Sequence, residues 1–313
     1  MIEIIIIKLH NMKLLIIFAT IFGLLAPLNA QTTIRVAVSG QDDFVQPHLE
    51  AALGDNLLRI TSGALEDPRT LDALLTSCDA IVLMNAHPPK ASGRDDREAL
   101  LEMRTAAMPI LSAVERHGGL HLVLIGTLRV HPQATQDDPL YSSQATLAPR
   151  DVAAEGQLWV EERALEHATE ASPVSVLRCS NVQGVPIGST EGHGIMHQFA
   201  RESIFGWISV PGDGTHVKDF IHVSDVVQVV QHVLQNRPPT RETLCIGSGH
   251  AAVMTEIAST YEERTGCEAQ FGNDDRFEVW GAVDAWEIEQ RCGFRPAVSP
   301  EDMIDEAFKI AGV

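Results

Sequence analysis

Four short runs with almost no polar face constrain this chain more than any other feature. Residues 33–39 (TIRVAVS), 80–84 (AIVLM), 120–125 (LHLVLI) and 174–178 (VSVLR) are dominated by Val, Ile, Leu and Ala. A strand that is apolar on both faces needs cover on both, which places it inside a parallel sheet with helices on each side. The intervening segments supply that cover. Residues 44–53 alternate at helical spacing, Asp67-Pro68 opens a helix to Leu75, and residues 97–117 are amphipathic up to Gly118-Gly119. Residues 152–168 read as a further helix, and residues 57–61 as one more short strand. Strand and helix in this alternation imply right-handed crossovers and a doubly wound α/β fold.

After Arg178 the chain is Gly-rich and irregular to Gly194. Helical segments at 195–204, 224–236, 253–265 and 300–311 then alternate with short strands and turns. This pattern predicts a smaller second lobe assembled late, with the sheet layer at about 33–178 and the lobe mostly at 179–313. No repeat or low-complexity linker divides residues 31–313. The formal charge of −19 argues against nucleic acid and against anionic lipid surfaces, both of which require Lys and Arg. Five scattered cysteines show no zinc spacing and no disulfide framework, so buried free thiols are expected. His193 and His197 are four apart, but no third ligand accompanies them, and no metal site is expected.

Residues 1–30 stand apart. A short basic start at Lys13 precedes an apolar stretch from Leu14 to Ala26, then Pro27 and Leu28-Asn29-Ala30. That order is the pattern of a secretory signal peptide, with an uncleaved membrane anchor as the alternative. The expected location is therefore exported (periplasmic or secreted) or membrane-anchored, and cytoplasmic if the stretch is no leader. Removing it takes away Glu3, Lys8 and Lys13 and moves the formal charge from −19 to −20.

Four segments, in order, carry a resemblance. They are Val176-Leu177-Arg178 with Asn181-Val182 and Gly184, then Gly212 to Asp225 (GDGTHVKDFIHVSD), then Ile246-Gly247-Ser248-Gly249, then Gly293-Phe294-Arg295-Pro296. Together they resemble the extended short-chain dehydrogenase/reductases of the NAD-dependent epimerase/dehydratase family, from about Ile34 to the C-terminus. The resemblance implies a Rossmann-like doubly wound parallel sheet with a smaller C-terminal substrate lobe. It also implies NAD or NADP as cofactor, a nucleotide sugar or other anionic small molecule as partner, and a homodimer through two helices. It places Gly40 at the cofactor, Thr127 at the catalytic Ser/Thr position, and Asn181 and Lys218 toward the substrate diphosphate.

The chemical positions depart from the family pattern. Its G-x-x-G-x-x-G reads here Gly40-Gln41-Asp42-Asp43-Phe44-Val45-Gln46, which adds bulk and two carboxylates where a pyrophosphate should approach backbone. The second strand shows no acid for the adenosine ribose, and few residues separate Gly40 from Asp67. The family's relay is a Tyr with a Lys four residues on, because a phenol of pKa near 10 needs a cation to work at neutral pH. The two tyrosines, Tyr141 and Tyr261, are followed at that spacing by Ala145 and Thr265. Alignment on Leu158 and Glu161 puts Ala153 at the Tyr position and Gln157 at the Lys position. Glu155 is the nearest acid that could replace them, without a partner to tune it. Lys218 stands where the family commonly has Arg, keeping the charge without the bidentate fork.

Three functions stay open. One is a divergent member that binds a nucleotide sugar or another anionic ligand without hydride chemistry. The second is an active epimerase, dehydratase or reductase with a non-standard site, and the third a non-catalytic interaction protein. An exported chain would meet neither NAD nor nucleotide sugars, so location and ligand are one question. N-terminal sequencing of protein from its native source is expected to start near Gln31. Intact residues 1–30 in a soluble fraction would refute export.

Overall fold

The computed structural model describes residues 34–40, 44–84, 96–135, 137–272 and 281–313. Residues 1–30 and the Asp42-Asp43 pair lie outside them. The chain begins with β1 (Val36–Ser39), α1 (Val45–Leu53), β2 (Leu57–Arg59), α2 (Ser62–Glu66), α3 (Pro68–Leu75), β3 (Ala80–Met84) and α4 (Asp96–His117). It continues with β4 (His121–Thr127), β5 (Leu140–Tyr141), α5 (Val152–Glu166), β6 (Val174–Cys179), β7 (Asn181–Gln183) and α6 (Ile195–Ser203). Next come β8 (Trp207–Val210), β9 (Val217–Lys218), β10 (Phe220–His222), α7 (Val223–Gln235) and β11 (Arg241–Ile246). The last elements are β12 (Ala252–Val253), α8 (Met254–Thr265), β13 (Glu268–Phe271), β14 (Ala282–Val283), α9 (Ala285–Cys292) and α10 (Pro300–Ala311).

The four apolar runs are central strands, as their two-faced hydrophobicity requires. Among the described residues the main sheet has six parallel strands in the order β11-β6-β4-β3-β1-β2. Every residue of β1, β3 and β6 is buried. Under one face, Leu71 and Leu75 of α3 sit one turn apart and pack with Ile110 of α4, Val160 of α5 and Leu122 of β4. Each fully buried Leu of this kind contributes about 2 kcal/mol of transfer free energy. A second core joins Phe199 of α6, Ile208 of β8, Tyr261 of α8 and Phe308 of α10.

One detail departs from the sequence expectation and a second follows from it. β11 completes the main sheet beside β6, so the sheet layer draws its last strand from the second half of the chain. Among the described residues one strand, the three-residue β2, lies outside β1, whereas the usual doubly wound order has two there. The short span between Gly40 and Asp67 leaves room for no more. Helix ends follow local chemistry. The Asp67 carboxylate accepts from Arg69 N ahead of Pro68, Asp151 caps α5 through Ala154 N, and Ser299 and Asp302 form a reciprocal box on α10.

His121 is fully buried at the start of β4. Its Nε2 lies 2.9 Å from Ser175 Oγ, which donates to Glu242 at 2.7 Å. Burial, with Arg237 and Arg291 nearby, pushes its pKa down from 6.5 to about 3. A depressed His stabilises the fold fully above the unfolded value and loses that contribution as pH falls from 6.5 toward 3. Denaturant unfolding should therefore weaken below that value, with this group contributing about 1.4 kcal/mol per pH unit. His121→Gln should flatten the slope between neutral pH and pH about 5; an unchanged slope would refute the assignment.

Candidate functional site

The cleft of such a sheet lies at the C-terminal strand ends; Gly40, Thr127 and Asn181 stand at or just past the ends of β1, β4 and β6, while Lys218 lies on β9 of the second lobe. Gly40 follows β1 with φ 125°, and a Cβ on it would lie 2.1 Å from the carbonyl oxygen of Met84 at the end of β3. Only glycine permits that approach. Gln46 is buried in α1, and its Nε2 donates to Glu50 at 2.8 Å. Glu50 also accepts from Arg59 Nε at 2.9 Å. Phe44 stacks on His193 at 4.2 Å, and His48 Nε2 lies 2.9 Å from Val185 O, so α1 touches the loop that follows β7.

At the end of β4, Thr127 accepts from Arg129 N at 3.3 Å, which makes it the cap of the turn Leu128–Val130. Ala153 is half-buried in the first turn of α5, and Glu155 is exposed. Gln157 is fully buried and donates to Glu161 at 3.4 Å. The other Glu161 oxygen accepts from Arg178 Nε at 2.9 Å. Arg178 Nη1 reaches His131 Nε2 at 3.3 Å, and Cys245 Sγ lies 3.6 Å from the same nitrogen. A guanidinium only donates, so His131 Nε2 accepts and its ring proton sits on Nδ1.

This buried chain packs directly on β4, since a Cβ on Gly126 would come within 2.5 Å of Gln157 Nε2. Burial and Arg178 push the His131 pKa down to about 4, and burial pushes the Cys245 thiol up to about 12. Burial raises the Glu161 carboxyl while Arg178 beside it pulls the other way. Neither tyrosine approaches a relay role. Tyr141 Oη accepts from Ala134 N at 2.9 Å, and Tyr261 Oη donates to Met196 O at 2.7 Å inside the second core.

The Gly212–Asp225 segment is where side chains tie the lobe together. Asp213 accepts from Thr215 N and Oγ1 and closes the exposed turn. Lys218 is only 2% exposed in β9, which pairs with β12 and touches Gly281 through a bridge. The buried Asp219 carboxylate accepts from Ser248 N at 2.8 Å, Gly249 N at 2.9 Å and Val283 N at 3.0 Å. The hydroxyls of Ser248 and Ser180 donate to it as well, each at 3.2 Å. Burial pushes the Asp219 carboxyl up, and these donors oppose that shift. Asn181 Nδ2 donates to the backbone oxygen of Asp219 at 2.9 Å, in the register Phe220↔Asn181. Asp225 accepts from Ala297 N and Val298 N, both at 3.1 Å, which docks the entry to α10.

The structure thus joins Asn181 to the Lys218-Asp219 pair, and Thr127 to the Gln157 network through neighbouring β4 and β6. His193 and His197 diverge: one stacks on Phe44, while the other faces Glu306 at 3.4 Å. Among the described residues no cluster of His, Cys, Asp or Glu suits a metal ion. Sequence reasoning missed two features. The role of Asp219 depends on donors far away in the chain. Arg59 at the end of β2 was legible by its nineteen-residue spacing from Gly40, but only an acid was sought there.

Comparison with known proteins settles the family. The sequence profile of the NAD dependent epimerase/dehydratase family matches residues 25–247. The chain belongs to that family. A dTDP-glucose 4,6-dehydratase from Streptomyces griseus is 28% identical over 215 residues, which is 62% of this chain and 59% of that protein. The chain therefore matches less than two thirds of that relative's length. The structure of MoeE5 in complex with UDP-glucose and NAD superposes with a TM-score of 0.73 at 21% identity, over 88% of this chain and 98% of that one. RMD from Pseudomonas aeruginosa, complexed with NADPH, gives 0.71 at 20% identity over 89% and 97%. These likenesses show the α/β fold with its six-stranded parallel sheet and C-terminal mixed region.

Removing the Asp219 carboxylate would leave three backbone N–H groups buried without acceptors. Asp219→Ala should therefore cost about 3 kcal/mol or more in denaturant unfolding. Asp219→Asn, which keeps one acceptor oxygen, should cost less. A loss under about 0.5 kcal/mol, the range of ordinary surface changes, would refute the role of this carboxylate.

Proposed function

We propose that this protein is a ligand-binding member of its family that works without the Tyr–Lys proton relay. It takes a nucleotide sugar or another anionic small molecule in the cleft at the strand ends. The observation that carries this reading is the course of the Gln157 side chain. At the position of the family's lysine, Gln157 turns into a buried network with Glu161 and Arg178 and supplies no cation beside a phenol. Ala153 supplies no phenol. Among the described residues Thr127 Oγ1 is bonded by Arg129 N as a turn cap and by no base, and a lone hydroxyl does not catalyse proton transfer.

Binding has more support than chemistry. Asn181 lies on β7, which pairs with β10, and binds the backbone oxygen of Asp219, the residue next to Lys218 of β9. The relatives' structures include complexes with UDP-glucose and with UDP-glucuronic acid. The expected leader at 1–30 bears on which anionic ligand is met, not on whether the folded site binds one.

A panel of UDP-, GDP-, TDP- and ADP-sugars should include at least one that raises the melting temperature. A ligand at about 100 times its Kd stabilises by about 2.7 kcal/mol, a shift of a few degrees for a chain of this size. No conversion of that sugar should be seen with NAD or NADP present. Turnover would overturn the reading by restoring hydride chemistry, and the absence of stabilisation by every sugar would overturn it by removing the ligand.

A further inference from the structure

The loop between β7 and α6, residues 184–194, is seated on two imidazoles that meet at one carboxylate oxygen. At its entry, a Cβ on Gly184 would lie 2.9 Å from His222 Nε2. At its exit, a Cβ on Gly192 would collide with the His197 ring, so the backbone there rests directly on that imidazole. The base of the loop is closed by an antiparallel bridge. Gly184 N donates to His193 O at 3.3 Å, and His193 N returns the bond to Gly184 O at 2.6 Å. Farther out, His48 Nε2 donates to Val185 O at 2.9 Å and Phe44 stacks on His193, which ties the loop to α1. Residues 187–191 between these contacts are exposed.

The shared carboxylate is Glu306 of α10. His222 Nδ1 accepts from Ser224 N, so its Nε2 carries a proton and donates to Glu306 Oε2 at 3.2 Å. His197 Nε2 faces the same oxygen at 3.4 Å and has no hydrogen-bond partner among the described residues. Access to water differs between the two rings. The His222 side chain is 15% exposed, against 1% for His197. Burial holds the His197 pKa below 6.5; Glu306 opposes that shift, and Arg201 and His222 add to it. Arg201 lies one turn further along α6, and its Nη1 donates to Gly192 O at 2.9 Å. From the loop, Glu191 and His193 flank Gly192. From α8, Tyr261 donates to Met196 O, and burial raises its phenol further above 10, so it stays neutral.

We propose that residues 184–194 form an acid-opened strap, in which His197 takes up the proton and Gly192 is the cover that lifts from it. A proton on His197 places an imidazolium beside Arg201 in a site closed to water, with a counter-charge, Glu306, that His222 already engages. Lifting the loop breaks the Gly184–His193 bridge and the Arg201 and His48 contacts, and leaves both apolar cores intact, so the opening is local. The sign follows from linkage. A His with a depressed pKa in the closed form stabilises that form fully above the open value of 6.5, and this is lost as pH falls toward the closed value. The strap is therefore shut at neutral pH and loosened by acid. It leaves directly from β7, the strand of Asn181, so acid loosens the chain beside that residue. The device needs neither a bound ligand nor a catalytic step.

Hydrogen exchange of the folded full chain, read by mass spectrometry from about pH 7.5 to about pH 5 and corrected for the intrinsic rate at each pH, tests the strap. Protection of peptides spanning 184–194 should fall by up to about tenfold per pH unit below about 6.5. Peptides from β3 report global unfolding and should stay better protected at every pH. His197→Gln should abolish the pH dependence of the strap and leave that of β3 unchanged. Glu306→Gln, at a part-exposed position, should deepen the loss in acid, because removing the counter-charge depresses the closed-form pKa further. This second variant decides the matter even where His197→Gln does not fold. Flat protection of 184–194, a dependence that survives His197→Gln, exchange of the strap only together with β3, or an unchanged profile in Glu306→Gln would each overturn the proposal.

Discussion

The second lobe depends on one carboxylate. Asp219 is buried, and an ion in that environment is tolerated only when donors replace the water it has lost. Those donors come from Ser180, Ser248, Gly249 and Val283, which belong to the end of β6, the turn after β11 and β14. Satisfying the charge therefore draws three chain-distant segments onto β10. Asn181 is drawn to the same residue through its backbone oxygen, and Asp225 repeats the device toward residues 297–298. Two of the three acids in the Gly212–Asp225 segment, Asp219 and Asp225, are fasteners. Their presence in a sequence identifies the fold more directly than it identifies a reaction.

A second buried polar chain does comparable work under the sheet end. Glu161 and Arg178 neutralise each other where neither could be solvated, and Gln157 and His131 take up their remaining hydrogen-bonding capacity. Such a network is stable only when its members are paired, so a side chain at position 157 is drawn inward by the acid one turn below it. Gln157 is thereby part of the interior. The same closeness to Gly126 that admits Gln157 leaves no space for a larger strand residue at that point.

The β2 edge of the sheet shows a different balance. A short β2 at the edge leaves Arg59 exposed to solvent, and Gln46 with Glu50 holds it from α1. At the end of β1 the close approach of Met84 leaves room for glycine alone at position 40.

Much of this was legible before any coordinates. Apolar runs without a polar face can only be interior strands, and their alternation with amphipathic stretches determines a parallel, doubly wound sheet. The absence of Tyr-x-x-x-Lys is read directly from the sequence. What the tertiary structure alone decided lies where partners are remote in sequence. The donors to Asp219 stand 29, 30, 39 and 64 positions from it, a strand beside β6 comes from residues 241–246, and Arg59 is exposed because no described strand lies outside β2. Local propensity and periodicity act over one or two turns, whereas a buried charge is satisfied by whatever the fold brings within about 3 Å of it.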